Sequence, residues 1–202
     1  MAEYTPTPSA LMELREERQV IEEGYRFLDE KRLLLAAEML RQLEEYQRLY
    51  TSFDALNQQA AQAMAAAVER HGLEGLQLHP ARPLDDAELE VGQRSFLGVR
   101  LLESTLQLPA QLSPEQSAID PSPEARRCTE LFRELIPLSA RLAGLSGNLE
   151  RLMAEYQRTE RRARALEDVI LPEVKSLQQE IGTRLEEMDQ EEAIRVRLKY
   201  GE

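Results

Sequence analysis

The chain has no tryptophan, one cysteine and two histidines, and aromatic residues fill only 5% of its 202 positions. A globular core of this size normally leans on aromatic bulk. Leucine, alanine, glutamate and arginine dominate instead, which is the composition of long helices or coiled coil. A single cysteine excludes an internal disulfide and a cysteine-rich zinc site. Bases are outnumbered by acids, 25 against 37, for a net charge of −12. Nucleic-acid binding needs a basic face, so nucleic acid is not an expected partner. No apolar run approaches the ~20 residues that cross a bilayer, so no direct membrane insertion is expected. The first 17 residues lack a basic stretch followed by an apolar one, so no secretory signal is expected and the chain reads as cytosolic.

Proline is absent over long stretches and concentrated in one. None lies between Pro8 and Pro80, and six of the ten fall between Pro80 and Pro123. Proline removes an amide donor and clashes with the preceding helical turn. The pattern therefore predicts a first helical arm over residues 1–77, a central hairpin and loop over 78–123, and a second helical arm over 124–202. Gly72 and Gly75 should end the first arm. Thr7-Pro8-Ser9 is a plausible cap for its start, and Ser122 with Pro123 at the first helical position opens the second.

Both arms carry heptads. In the first, Leu14, Ile21, Leu28, Leu35, Leu49 and Leu56 share one seam position, interrupted by Gln42. The other position reads Leu11, Arg18, Tyr25, Arg32, Met39, Tyr46, Phe53. In the second arm one position holds Leu131, Leu138, Leu145, Leu152 and Leu166, broken by Thr159. The other holds Leu135, Leu142, Leu149, Tyr156, Ala163, Ile170 and Leu177. Beyond Pro172 the apolar set continues with its phase shifted, which predicts a kink there, and Pro137 should bend the arm near its start. A 3.5-residue repeat held this long implies a left-handed supercoil with a partner helix. At 1.5 Å per residue each arm would be ~90 Å long, and folded back they would form one antiparallel pair. The expected fold is all-α dominated: a long antiparallel two-helix coiled coil with a small central β-hairpin.

The hairpin is expected where the period changes to two. Ala87, Leu89 and Val91 alternate with Glu88, Glu90 and Gly92, and further short runs surround Gly98 and Val99. A lone hairpin is marginal in water and should pack on the helices or on another chain.

Catalytic patterns are missing. No GxxxxGK[ST] loop, GxSxG elbow or HExxH is present. His71 and His79 end the first arm far from Cys128 in sequence, with no third group to orient a nucleophile. The paired acids, Glu16-Glu17 among them, point about 100° apart on a helix and do not converge on one ion. No enzyme activity, cofactor or metal is expected. In this acidic chain Arg158, Arg161, Arg162 and Arg164 form a positive collar, suited either to acidic loops of a partner or to pairing with Glu160 and Glu167.

Several segments resemble the D subunit of the V/A-type rotary ATPases. Thr5-Pro6-Thr7, Leu11, Gly24, Phe27-Leu28 and Lys31-Arg32 are similar to that family's first helix. RRARALEDVILP, Arg161 to Pro172, resembles its RRVNALExVVIP block. Ser95 to Val99 resembles its hairpin, and Arg197-Leu198-Lys199 its RLK near the end. The resemblance implies a non-catalytic central rotor shaft of a proton- or sodium-translocating ATPase or ATP synthase. Such a shaft transmits torque between the catalytic A/B hexamer and the membrane rotor ring. The implied partners are the A and B subunits, a small F subunit and a socket subunit on the rotor ring. The implied location is cytoplasmic, peripheral to the membrane. Carried over residue by residue, the ring contacts would be Thr5, Pro6, Thr7, Leu11, Leu14, Arg161, Arg162, Leu166, Glu167 and Ile170. Pro172 would be the kink, and the hairpin residues Leu89, Val91, Gly98 and Val99 would contact the F-like subunit or tune hydrolysis. The alternative is a helix–hairpin–helix chaperone resembling prefoldin, or a coiled-coil scaffold. A prefoldin exposes apolar free helix ends, and the charged Glu191-Glu192 end here favours the shaft.

Overall fold

A computed structural model describes residues 5–77, 87–108 and 122–200. Helix α1 spans Pro8–Leu76, strands β1 and β2 span Glu88–Phe96 and Val99–Gln107, and helix α2 spans Pro123–Ala165. A π-helical turn, Leu166–Ile170, then leads into helix α3, Leu171–Tyr200. The fold class is the expected one, helical with a single antiparallel hairpin. His79 and the central loop, residues 109–121, lie outside the described residues.

The helix ends follow local chemistry. Thr7 Oγ1 accepts from Ala10 N–H at 3.2 Å and Pro8 takes the first helical position. Ser122 does the same for α2, accepting from Ala125 N–H at 3.2 Å with Pro123 next in the chain. Gly72 leaves helical space at φ 67°, ψ 168°, so regular helix stops at His71 and one further turn follows. Pro137 sits inside α2 without ending it.

The chain divides into two compact units: residues 1–35 with 156–202, and residues 36–155. In the first, Leu14, Val174 and Ile181 form the buried centre, with Leu11, Ile21, Leu177 and Leu185 packed around it. Arg18 donates to Gln178 at 3.4 Å, and Leu166 lies against Gly24, so α1 and its partner run antiparallel. Burying each such leucine or isoleucine contributes ~1.5–3 kcal/mol before ordering costs.

In the second unit, opposite-running contacts again link α1 and α2. Arg141 faces Glu45 at 3.8 Å, Cys128 meets Met64 at 3.7 Å, and Arg70 pairs with Glu124 at 2.7 Å. Glu124, in the first turn of α2, has its carboxyl lowered in pKa by the backbone N–H groups there and then by Arg70. The two polar seam breaks are filled rather than vacant: Gln42 and Thr159 are both buried.

The hairpin turns at Leu97 and Gly98, both at positive φ (49° and 88°). That is the two-residue turn whose twist matches its strands, and β1 pairs with β2 in unbroken register from Phe96↔Val99 to Glu88↔Gln107. The edge of β2 docks on α2. Leu102 N–H donates to Asn148 Oδ1 at 2.7 Å, and Asn148 Nδ2 donates to Leu102 C=O at 2.8 Å. Two turns earlier Ser104 Oγ donates to Ala140 C=O at 2.6 Å, over Gly144, whose missing side chain makes room for it. On the other side Arg94 of β1 reaches Glu38 of α1 at 2.7 Å.

The second arm departs from the heptad expectation at one place. Ile170 was expected in the seam, but it is exposed and Leu171 is buried in its stead. Ala163 to Leu171 and Leu166 to Val174 are each one residue longer than a heptad, and the π-helical turn between them holds the extra residue. Leu171 N–H there bonds Leu166 C=O, five residues back. Pro172 follows at once, and its ring would crowd the Asp168 carbonyl in an ordinary α-turn. The phase shift at Pro172 therefore arises from a π-turn, a wider coil that also accommodates the proline.

Candidate partner interface

The π-turn is the most irregular stretch of the first unit, and its side chains show the consequence. Glu167, Asp168, Val169 and Ile170 are all exposed, with Val169 50% accessible although both of its flanks carry buried seam residues. Four successive residues cannot all face solvent on an ordinary helix packed along one side. Leu166, by contrast, is half-buried with Cδ1 over Gly24. The Tyr25 hydroxyl hydrogen bonds Glu167, which together with the Glu167 and Asp29 charges raises the phenol pKa.

One turn earlier, Arg161 and Arg162 are exposed and form no ion pair among the described residues, whereas Arg164 holds Glu160 at 2.7 Å. The collar is thus partly paired, and Arg158 is also engaged. In chain order the exposed residues are thus two unpaired cations, then two carboxylates, then two aliphatic side chains. Strips of this kind suit a protein partner, since they offer an apolar contact ringed by charge.

The other expected contacts fall elsewhere. Thr5 and Thr7 are exposed and Pro6 half-buried at the start of α1. Leu11 is half-buried, and Leu14 is enclosed in the core with Val174 and Ile181 at 1% accessibility. This segment lies beside Leu177 and Leu185, several turns from the π-turn, so the two groups of residues do not make one patch. Pro172 is exposed. In the hairpin, Val99 is buried, Gly98 supplies the turn, and Leu89 and Val91 stand exposed.

Two features escaped the sequence. Val169 carried no signal beyond its neighbours, because a π-turn has no composition of its own. Glu38, nearly buried, accepts from Arg41 at 2.7 and 2.9 Å, from Gln42 at 3.0 Å and from Arg94 at 2.7 Å. Its only trace was Gln42 standing where a leucine was due. Among the described residues no group of three or more His, Cys, Asp or Glu could hold a metal ion. No described helix is long and apolar enough to cross a membrane. A groove of about 780 Å³ between α1 and α3 gathers Arg15, Arg18, Arg26 and Lys175 against Glu22 and Glu23.

Comparison with known proteins places these observations. The family model that describes the ATP synthase D subunit matches residues 10–199. The chain is similar to the V-type ATP synthase D subunit of Thermotoga neapolitana, 26% identical over 200 residues, covering 96% of each chain. It is similar also to the A-type ATP synthase D subunit of Pyrococcus abyssi, 28% identical over 194 residues (95% of this chain, 91% of that one), and to that of Pyrococcus furiosus, 29% over 194 residues with the same coverage.

Proposed function

We infer that this chain, which belongs to the family of ATP synthase D subunits, is the central rotor shaft of a V/A-type ATPase or ATP synthase. Membership makes it a subunit of that complex. The shaft role is the reading that the paired helices support best.

The observation that carries it is the seam. A shaft must not let one helix slide or roll past the other under torque. Side chains interlocked at 3.5-residue spacing resist both motions, and the Leu14–Val174–Ile181 core is built this way. The π-turn keeps that interlock in phase past Pro172 by absorbing one residue. In this reading nucleotide chemistry belongs to the A and B subunits around it. The exposed strip at Arg161, Arg162, Glu167, Val169 and Ile170 fits a surface that a ring of partners meets in turn. Thr5 to Leu11 fits the same role at the start of α1, and the hairpin fits contact with a small F-like subunit. The far end would seat on a socket subunit above the rotor ring, leaving the chain cytoplasmic and peripheral to the membrane.

The test is isolation from native membranes through a tag on this chain. A, B and F subunits should accompany it, with one copy per three A–B pairs. Recovery as a free homo-oligomer would overturn the reading. In the isolated complex, a bead on this chain should turn when ATP is supplied. The Leu149→Pro variant, which breaks α2 in its seam, should stop that rotation while the ring still binds nucleotide.

A further inference from the structure

The two edges of the hairpin are treated differently. In a two-residue hairpin the pair flanking the turn, here Phe96 and Val99, exchanges both ladder bonds, and inward and outward groups alternate from there. The outward N–H and C=O groups of β2 therefore belong to Arg100, Leu102, Ser104 and Leu106. Those of β1 belong to Leu89, Val91, Gln93 and Ser95. The β2 assignment has an independent check: Leu102 directs both groups to the Asn148 amide, at 2.7 and 2.8 Å. Asn148 thus stands in for one residue of a neighbouring strand, and α2 covers that edge.

Among the described residues the β1 edge has no such cover. Among the described residues, no hydrogen bond reaches the outward backbone groups of Leu89, Val91 or Gln93. Two apolar side chains stand exposed there as well, Leu89 at 57% and Val91 at 46% accessibility. A bare edge of this kind is ordinarily blunted by proline, lysine or a bulge. The segment ELEVGQRSF contains neither residue, its register is unbroken, and of its charged side chains Arg94 is drawn away to Glu38, which leaves Glu88 and Glu90.

We propose that the β1 edge accepts an extended segment of another subunit of the same complex as a third strand. Backbone hydrogen bonds would supply the attachment and side-chain neighbours the selectivity. A strand laid there sets alternate residues beside Leu89 and Val91 and the others beside Glu88 and Glu90. The fitting segment therefore alternates β-branched or aromatic residues with lysine or arginine. A second copy of this chain is the poorer occupant, because it would bring a second charge of −12 to the contact. The inference rests on the chain being part of an ATP synthase complex and not on its rotating, so a failed rotation assay leaves it standing.

Amide hydrogen exchange tests it on the free full-length chain and on the purified complex. In the free chain the inward amides of Glu90 and Arg94 should be protected, while those of Leu89, Val91 and Gln93 exchange freely. In the complex the latter three should slow by at least ~10-fold. Gln93→Pro removes one outward donor where no ladder bond is lost. It should return Leu89 and Val91 to free-chain rates with Glu90 and Arg94 still protected. Leu89→Lys with Val91→Lys, which leaves the backbone intact, should do the same by setting charge against the apolar residues of the added strand. Protection already present in the free chain would mean that the chain itself, or a second copy, covers the edge. Unprotected outward amides in the complex, or protection that survives both variants, would equally overturn the proposal.

Discussion

Glu38 shows how one buried side chain can tie an element in place. Its carboxylate, 8% exposed, is held by Arg41, Gln42 and Arg94, the last of these on the hairpin. Arg41 foremost, with Gln42 and Arg94, depresses its pKa from 4.5 to about 2, against the opposing effect of burial. Because the folded value lies below the unfolded one, the stabilisation is complete above pH ~4.5 and fades as pH falls towards ~2; a shift of this size corresponds to about 3 kcal/mol. Urea titrations should show that loss over this acid range, and Glu38→Gln should flatten that part of the profile. An unchanged acid slope in the variant would exclude Glu38 as its source. Gly144 offers a test of sign. Alanine in place of a helical glycine ordinarily stabilises by about 1 kcal/mol. Here the added methyl would collide with Ser104 Oγ, so Gly144→Ala should destabilise by ~1–3 kcal/mol. Ser104→Ala should partly rescue it; a Gly144→Ala variant more stable than the parent would refute the close docking of β2 on α2. Neither site was legible in the sequence. Gln42 looked like a simple break in a leucine row, and nothing local distinguishes Asn148 or Gly144 from ordinary helix residues, because their partners come from a strand some 40 positions earlier in the chain.

At the scale of elements the sequence was far more informative. Thr7 and Ser122 announced their helices, Gly72 ended α1, and the switch from heptads to alternation located both strands. Periodicity survives in a linear reading because it depends only on spacing. The π-turn was visible only as its effect, a phase shift assigned to Pro172, since the i→i+5 bond that creates it has no residue signature. The physical account makes a deletion test. If the turn exists to hold one surplus residue and to clear Pro172, removing Val169 together with Pro172→Ala should restore continuous α-helix. Ala163, Leu171 and Val174 would remain buried. Relief of the wider turn should then hold or raise Tm by a few degrees, as ~1 kcal/mol does in a chain of this size. A marked drop in Tm, read by circular dichroism, would show that the register argument is mistaken. If the strip meets the ring as proposed, the same variant should also lose affinity for it.

For the whole molecule, fold and family were legible because both rest on spacing and order along the chain. RRARALEDVILP and the paired seams were sufficient to suggest the D-subunit family, and the match over residues 10–199 agrees. Exposure has no comparable signal: Leu14 lies in the core while Val169 is exposed. A face that meets other subunits needs only to be apolar and accessible, and neither property has a period. That same surface has a consequence for the isolated chain. Phe27, Leu33, Leu40 and Leu198 are each more than 60% accessible on a chain of charge −12. Repulsion between copies then opposes association through the aliphatic patches. Salt removes the repulsion, shortening its range from ~8 Å at physiological ionic strength to ~3 Å at 1 M, and leaves the apolar attraction in place. Sedimentation velocity should therefore find the free chain monomeric in dilute buffer and increasingly associated at about 1 M salt. Adding the other subunits of its complex should suppress that association by covering the same side chains. A chain that stays monomeric in concentrated salt at every loading would mean that these exposed residues are not adhesive, and the case for a surface shaped to be covered by partners would lose its physical basis.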